Sequence, residues 1–147
     1  MFKDLPLAPI VLGLCGLIPF LWGGLTTLNP PLALWAQDTI GSRFIGPYIQ
    51  LFYGAIILSF MSGVIWGFAT KSTRTSNYIL AVIPALWAFF MTGGGPATTA
   101  LNLMGGFGAV LLIDWHMASQ GLTPPWWMPL RIVLTIVVII CLMTVVI

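Results

Sequence analysis

The charged side chains fall into a few short places, and between them run long stretches with none: Leu5 to Gln37, Phe44 to Thr70, Thr75 to Ile113 and Ile132 to Ile147. A domain folded in water carries roughly 25% charged residues on its solvated surface. Here the share is 5%, against 59% hydrophobic. A soluble enzyme, a solvated linker and a disordered tail are all excluded. The formal net charge of +2 is too small for a basic face that tracks a nucleic-acid backbone. The composition describes a polytopic membrane protein whose first partners are membrane lipids.

A helix crosses a hydrocarbon core with roughly 20 apolar residues. Five stretches approach or exceed that length, near 8–28, 45–69, 77–93, 98–117 and 127–147. Helices satisfy their own backbone in lipid, whereas a barrel needs alternating strands that do not occur here. The expected fold class is therefore an all-α membrane protein, one domain over 1–147 with five transmembrane helices. Segment 30–44 interleaves Leu32, Leu34, Trp35, Ile40 and Phe44 with Gln37, Asp38, Ser42 and Arg43, the pattern of an interfacial amphipathic helix. Pro30-Pro31 starts it and Gly46-Pro47 punctuates its end. The run Gly93-Gly94-Gly95-Pro96 reads as a turn, since no lysine follows at phosphate-loop spacing. Lys3 precedes the first apolar run as in a signal peptide, but Pro19 interrupts that run and no clean cleavage site follows, so it reads as a retained helix.

Lys3, Lys71, Arg74 and Arg131 fall on one side of this arrangement and Arg43 on the other. Basic residues favour the cytoplasmic or matrix face, so the N-terminus is expected there. Trp66, Trp115, Trp126 and Trp127 then lie near the inner boundary, and Trp22, Trp35 and Trp87 towards the outer one. Amphipathic rings prefer those depths.

In the second span Ala55, Ser59, Gly63 and Gly67 recur every fourth residue, a ridge that lets another helix approach closely. Packing inside the bundle is the expected use, with homodimerisation or partner docking as the alternative. Gly105 and Ala109 repeat the pattern more briefly. Leu17–Trp22 resembles Val82–Trp87, and Tyr53–Leu58 resembles Phe107–Leu112. Spans one and two would then echo spans three and four as a parallel repeat. Pro19 and Pro84 would bend their helices at corresponding depths.

Groups able to carry chemistry are few. Asp114 and Arg131 end one span and begin the next, and an ion pair between them would lower the cost of an arginine inside the helix. His116 lacks the company of further ligands that a metal centre needs. Ser62-Gly63 with His116 only partly matches an intramembrane serine protease, because Phe60 stands where a glycine is expected. Cys15 and Cys141 lie at different depths and read as packing groups rather than a disulfide. Asn102 reads as the one amide within a span, bonding across helices. No cofactor is expected from this set.

Tyr53-Gly54-Ala55, Leu58-Ser59-Phe60, Gly63 with Trp66-Gly67, Ile83-Pro84-Ala85, Asp114, Pro125-Trp126-Trp127 and Leu130-Arg131 together resemble an uncharacterised inner-membrane family. That family includes the mitochondrial transmembrane protein 69 and many proteobacterial relatives. The similarity runs from about Leu12 to the C-terminus. It implies five spans in a bacterial or mitochondrial inner membrane, and offers no reaction, cofactor or catalytic residue to carry over.

The functional expectation is a non-enzymatic accessory or assembly subunit of a larger respiratory or photosynthetic complex, acting by helix packing. A small transporter or channel for a solute or lipid is the alternative, motivated by the two proline bends.

Overall fold

The computed structural model describes residues 6–147, so Lys3, which was counted towards the orientation, lies outside the described residues. Every regular element among the described residues is helical: α1 (Leu7–Cys15), α2 (Ile18–Leu28), α3 (Pro30–Ile40), a 3-10 turn (Ser42–Phe44), α4 (Tyr48–Ala69), α5 (Thr75–Met91), α6 (Pro96–Ser119) and α7 (Trp127–Met143). Leu7–Leu28, Tyr48–Ala69 and Pro96–Ser119 are long and apolar enough to cross a membrane, and α5 and α7 are shorter apolar helices.

Two prolines shape two helices differently. Proline has no N–H to continue a ladder. Before Pro19 the helix pauses, with Gly16 N–H bonded to Leu12 O and Leu17 N–H to Leu14 O. It then restarts as α2 with the proline in its first turn. Pro84 stays inside α5 and is buried.

Side-chain contacts give the helix directions. Leu58 of α4 meets Gly106 of α6 and Gly54 meets Leu103, so those two helices run parallel. Between them α5 runs the opposite way, placing Tyr78 against Trp66 at one end and Trp87 against Asn102 at the other. Helix α7 returns along α6 and parallel to α1–α2, with Leu134 beside Gly13 and Thr144 beside Gly24. One end of the bundle joins the 70–74 and 120–126 connections, where Lys71 Nζ donates to Leu122 O at 3.3 Å. At the other end Trp22 Nε1 donates to Phe44 O at 2.6 Å and Gly46 N–H to Thr26 Oγ1 at 2.8 Å, which ties the 3-10 turn down onto α2.

The core is built from Phe20, Leu58, Ile65, Leu103, Phe107 and Val110. A close three-helix crossing lies at Gly106, where a Cβ would stand 2.6 Å from Leu58 Cδ2 and 2.9 Å from Trp87 Cδ1. A glycine there lets α4, α5 and α6 converge while both large side chains stay in place.

The expected internal packing of Ala55, Ser59, Gly63 and Gly67 holds only for Ala55, which is half-buried against the core. Helix α4 buries Gln50, Gly54, Leu58, Met61, Ile65 and Ala69 instead. Ser59, Gly63 and Gly67 are exposed, and a Cβ added at either glycine meets no described atom within 4 Å. The two faces start one residue apart, about 100° around the helix. Large side chains fitted against single glycines win the interior, which leaves the rest of the small-residue ridge outside. Gly105 and Ala109 are likewise exposed, and the neighbouring Gly106 makes the close approach.

The two resembling helix pairs also bury different positions. Phe20 and Gly24 face inward in α2, whereas Ala81, Pro84 and Ala88 do so in α5. Trp22 donates to the 3-10 turn, whereas Trp87 donates to Asn102 O of α6.

Candidate functional site

Helix α7 follows Pro124-Pro125, and its residues four apart share one face. Trp127, Arg131 and Thr135 form that face. Arg131 Nε donates to Asp114 Oδ2 at 2.9 Å, and Trp127 Nε1 donates to Oδ1 of the same carboxylate at 2.9 Å. Asp114 is fully buried and Arg131 is 5% exposed. Both carboxylate oxygens are thus engaged, so the negative charge is compensated where water is excluded. The guanidinium also lies 5.9 Å from the centre of the Trp127 ring. The clip joins α6 to α7 near the end of the bundle that carries Lys71.

The same face of α7 borders a cleft of about 360 Å³. Gly13 of α1 and Gly16 just beyond it, Tyr53 and Ile57 of α4, and Phe107 of α6 contribute to its walls, and Arg131 and Thr135 add polar groups to its lining. Thr135 is 2% exposed. Among the described residues, Arg131 Nη2 and Thr135 Oγ1 have no hydrogen-bond partner. A second cavity, also about 360 Å³, lies at the far end beside Tyr48, Phe52 and Thr99. Thr92 and Thr99 there are already bonded to the backbone carbonyls of Ala88, Thr92 and Gly94. The cavities share no lining residue.

Other polar groups are used to join helices. Asn77, fully buried in α5, donates to Gln120 Oε1 and to Ser72 Oγ, both at 3.0 Å. Gln120 Nε2 in turn sits 2.7 Å from Nε2 of the exposed His116. Gln50, fully buried near the start of α4, donates to Thr144 Oγ1 at 3.3 Å. Asn102 bonds Met91 O at 2.9 Å across helices, but it is not the one amide in a span: Gln50 and Asn77 are further amides within helices and are more deeply buried. The signal for both was available, since each is a lone amide just inside an apolar run. Ser62 accepts from the backbone N–H of Ala85, so this hydroxyl bridges helices rather than standing beside His116. Cys15 is exposed and Cys141 buried, both as free thiols.

The family model described as "Protein of unknown function (DUF3429)" matches residues 5–147. The chain belongs to that family. Transmembrane protein 69 of Xenopus tropicalis is 31% identical to it over 147 residues, covering 95% of this chain and 54% of the relative. The chain therefore spans about half the length of that curated relative. No solved structure matches it. In this DUF3429 protein the motif residues divide by position: Gly54, Leu58, Pro84, Asp114 and Arg131 are buried, whereas Ser59, Gly63 and Gly67 face outward.

Proposed function

We propose that this DUF3429 protein is a five-pass, non-enzymatic accessory or assembly subunit of a larger energy-transducing complex, respiratory or photosynthetic, in a bacterial or mitochondrial inner membrane. The ridge Ala55-Ser59-Gly63-Gly67 carries the reading. Ala55 touches the core, but the rest of the ridge is a close-packing surface left outside the bundle, with Ser59 exposed and nothing described within 4 Å of a Cβ at Gly63 or Gly67. Around it stand Ile56, Phe60 and Trp66, each about half exposed or more, a surface suited to lipid or to another helix. Meanwhile Asp114, Arg131, Asn77, Gln120 and Gln50 each make a bond that stitches this bundle together. The transport alternative gains no support from two cavities with no shared wall.

Five passes are favoured by the helix directions. Helices α5 and α7 have 17 residues each, about 25 Å at 1.5 Å per residue, and both run between the same two ends as their longer neighbours. Lys71 and Arg74 at one end and Arg43 at the other favour a cytoplasmic or matrix side for the former.

Purification from native membranes in a gentle detergent, followed by native mass spectrometry, tests the assignment. Stoichiometric partner subunits are expected, released by Gly63→Leu together with Gly67→Leu. A lone monodisperse species from native membranes overturns it.

A further inference from the structure

We propose that the cleft between α1, α4 and α7 binds a single-chain amphiphile by an uncharged carbonyl head, held by Arg131 Nη2 and Thr135 Oγ1. The proposal is independent of the accessory-subunit reading, because it rests on a different face of the molecule.

Two buried polar groups without partners belong to residues lining a cavity whose other walls are mainly apolar, Tyr53 with its hydroxyl being the exception. A buried donor left unbonded is costly, and its cost is removed by a ligand that accepts from it. Arg131 and Thr135 are one helical turn apart on one face of α7 and both line the cleft. Beyond them Leu134 and Val138 continue the wall in hydrocarbon character, which suits a chain rather than a compact polar solute. The mouth is flanked by Leu12 of α1 and Phe60 of α4, 70% and 63% exposed, so the cleft opens sideways towards lipid. Its volume lies at the lower end of ordinary ligand sites, roughly 300–1,000 Å³.

Charge selects the head. Asp114 already balances the guanidinium through Nε, with Trp127 on its second oxygen. A carboxylate ligand would add a second negative charge in a site where water is excluded. A carbonyl oxygen accepts both hydrogen bonds and adds none. A quinone ring and an acyl ester offer this same chemistry.

The test uses the full chain in dodecyl maltoside, which has no carbonyl group. Four decyl-tailed probes are titrated: a benzoquinone, a glycerol ester, the matching glycerol ether and decanoate. Saturable binding of the quinone or the ester is expected, with no comparable binding of ether or decanoate. Whichever carbonyl probe binds identifies the source as a quinone or a lipid ester. Thr135→Val keeps the side-chain shape and should weaken binding about fivefold, the loss of one hydrogen bond. Ile57→Phe fills the cleft and should abolish binding in a bundle whose helicity and elution are unchanged. The proposal is overturned if neither carbonyl probe saturates, if ether or decanoate binds as tightly, or if Thr135→Val binds like wild type.

Discussion

Ser62 Oγ accepts a 2.8 Å hydrogen bond from the backbone N–H of Ala85, the residue immediately after Pro84. A proline within a helix disturbs the ladder around it, and in lipid the affected groups need partners from neighbouring helices. Helix α4 supplies one. Ser62→Ala should lower stability in detergent by about 1 kcal/mol, within the range found for interhelical hydrogen bonds in membranes. In a Pro84→Ala background the same substitution should cost much less, because α5 can close its own ladder. Equal costs in the two backgrounds, measured by thermal unfolding, would separate the serine from the proline.

The clip on Asp114 predicts an asymmetric mutational response. Arg131→Ala leaves a buried carboxylate with only Trp127 as donor and should cost about 3 kcal/mol or more. Adding Asp114→Leu to Arg131→Met should recover more than half of that loss, since the buried charge is then gone. A double variant as unstable as the single one would show that packing, not charge, makes the clip matter.

Two glycines should respond in opposite directions. Gly106→Ala pushes a methyl onto Leu58, which is fully buried, and onto a Trp87 ring held by Asn102 O, so destabilisation of about 1–3 kcal/mol is expected. Gly63→Ala meets no described neighbour and gains helix propensity, so the melting temperature of the isolated protein should hold or rise. Identical shifts in detergent would contradict the division between inner and outer faces.

Crossing of α5 can be read chemically. With Cys15 and Cys141 replaced by alanine, Arg74→Cys should react with an impermeant maleimide from one side of sealed vesicles. Arg43→Cys and Gly94→Cys should react from the other. Labelling of positions 74 and 94 from the same side would remove α5 from the set of spans.

The all-helical class was legible because long charge-free runs without strand-like alternation leave helices as the way to satisfy the backbone in lipid. The Asp114–Arg131 encounter was legible too, since each is a solitary charge beside the same short connection. The packing face of α4 was not. A four-residue recurrence of small residues marks where a helix can be approached, but which face is approached depends on the large side chains opposite. Leu58 and Trp87 meeting Gly106 decide it, and their pairing links positions far apart in the chain. The open cleft was equally hidden, because it arises where α1 stands away from α4. Gln50 and Asn77 were not legible as buried joints because an amide beside a helix end looks like ordinary boundary polarity until its burial is known.

The ion pair has a bearing on biosynthesis. Asp114 enters the bilayer with α6, but both of its donors sit on α7 and follow 13 and 17 residues later. Until α7 packs against α6 the carboxylate lacks both donors, and Gln50 likewise waits for Thr144. Closure of the bundle therefore depends on α7, which supplies both donors to Asp114 and ends on the acceptor for Gln50.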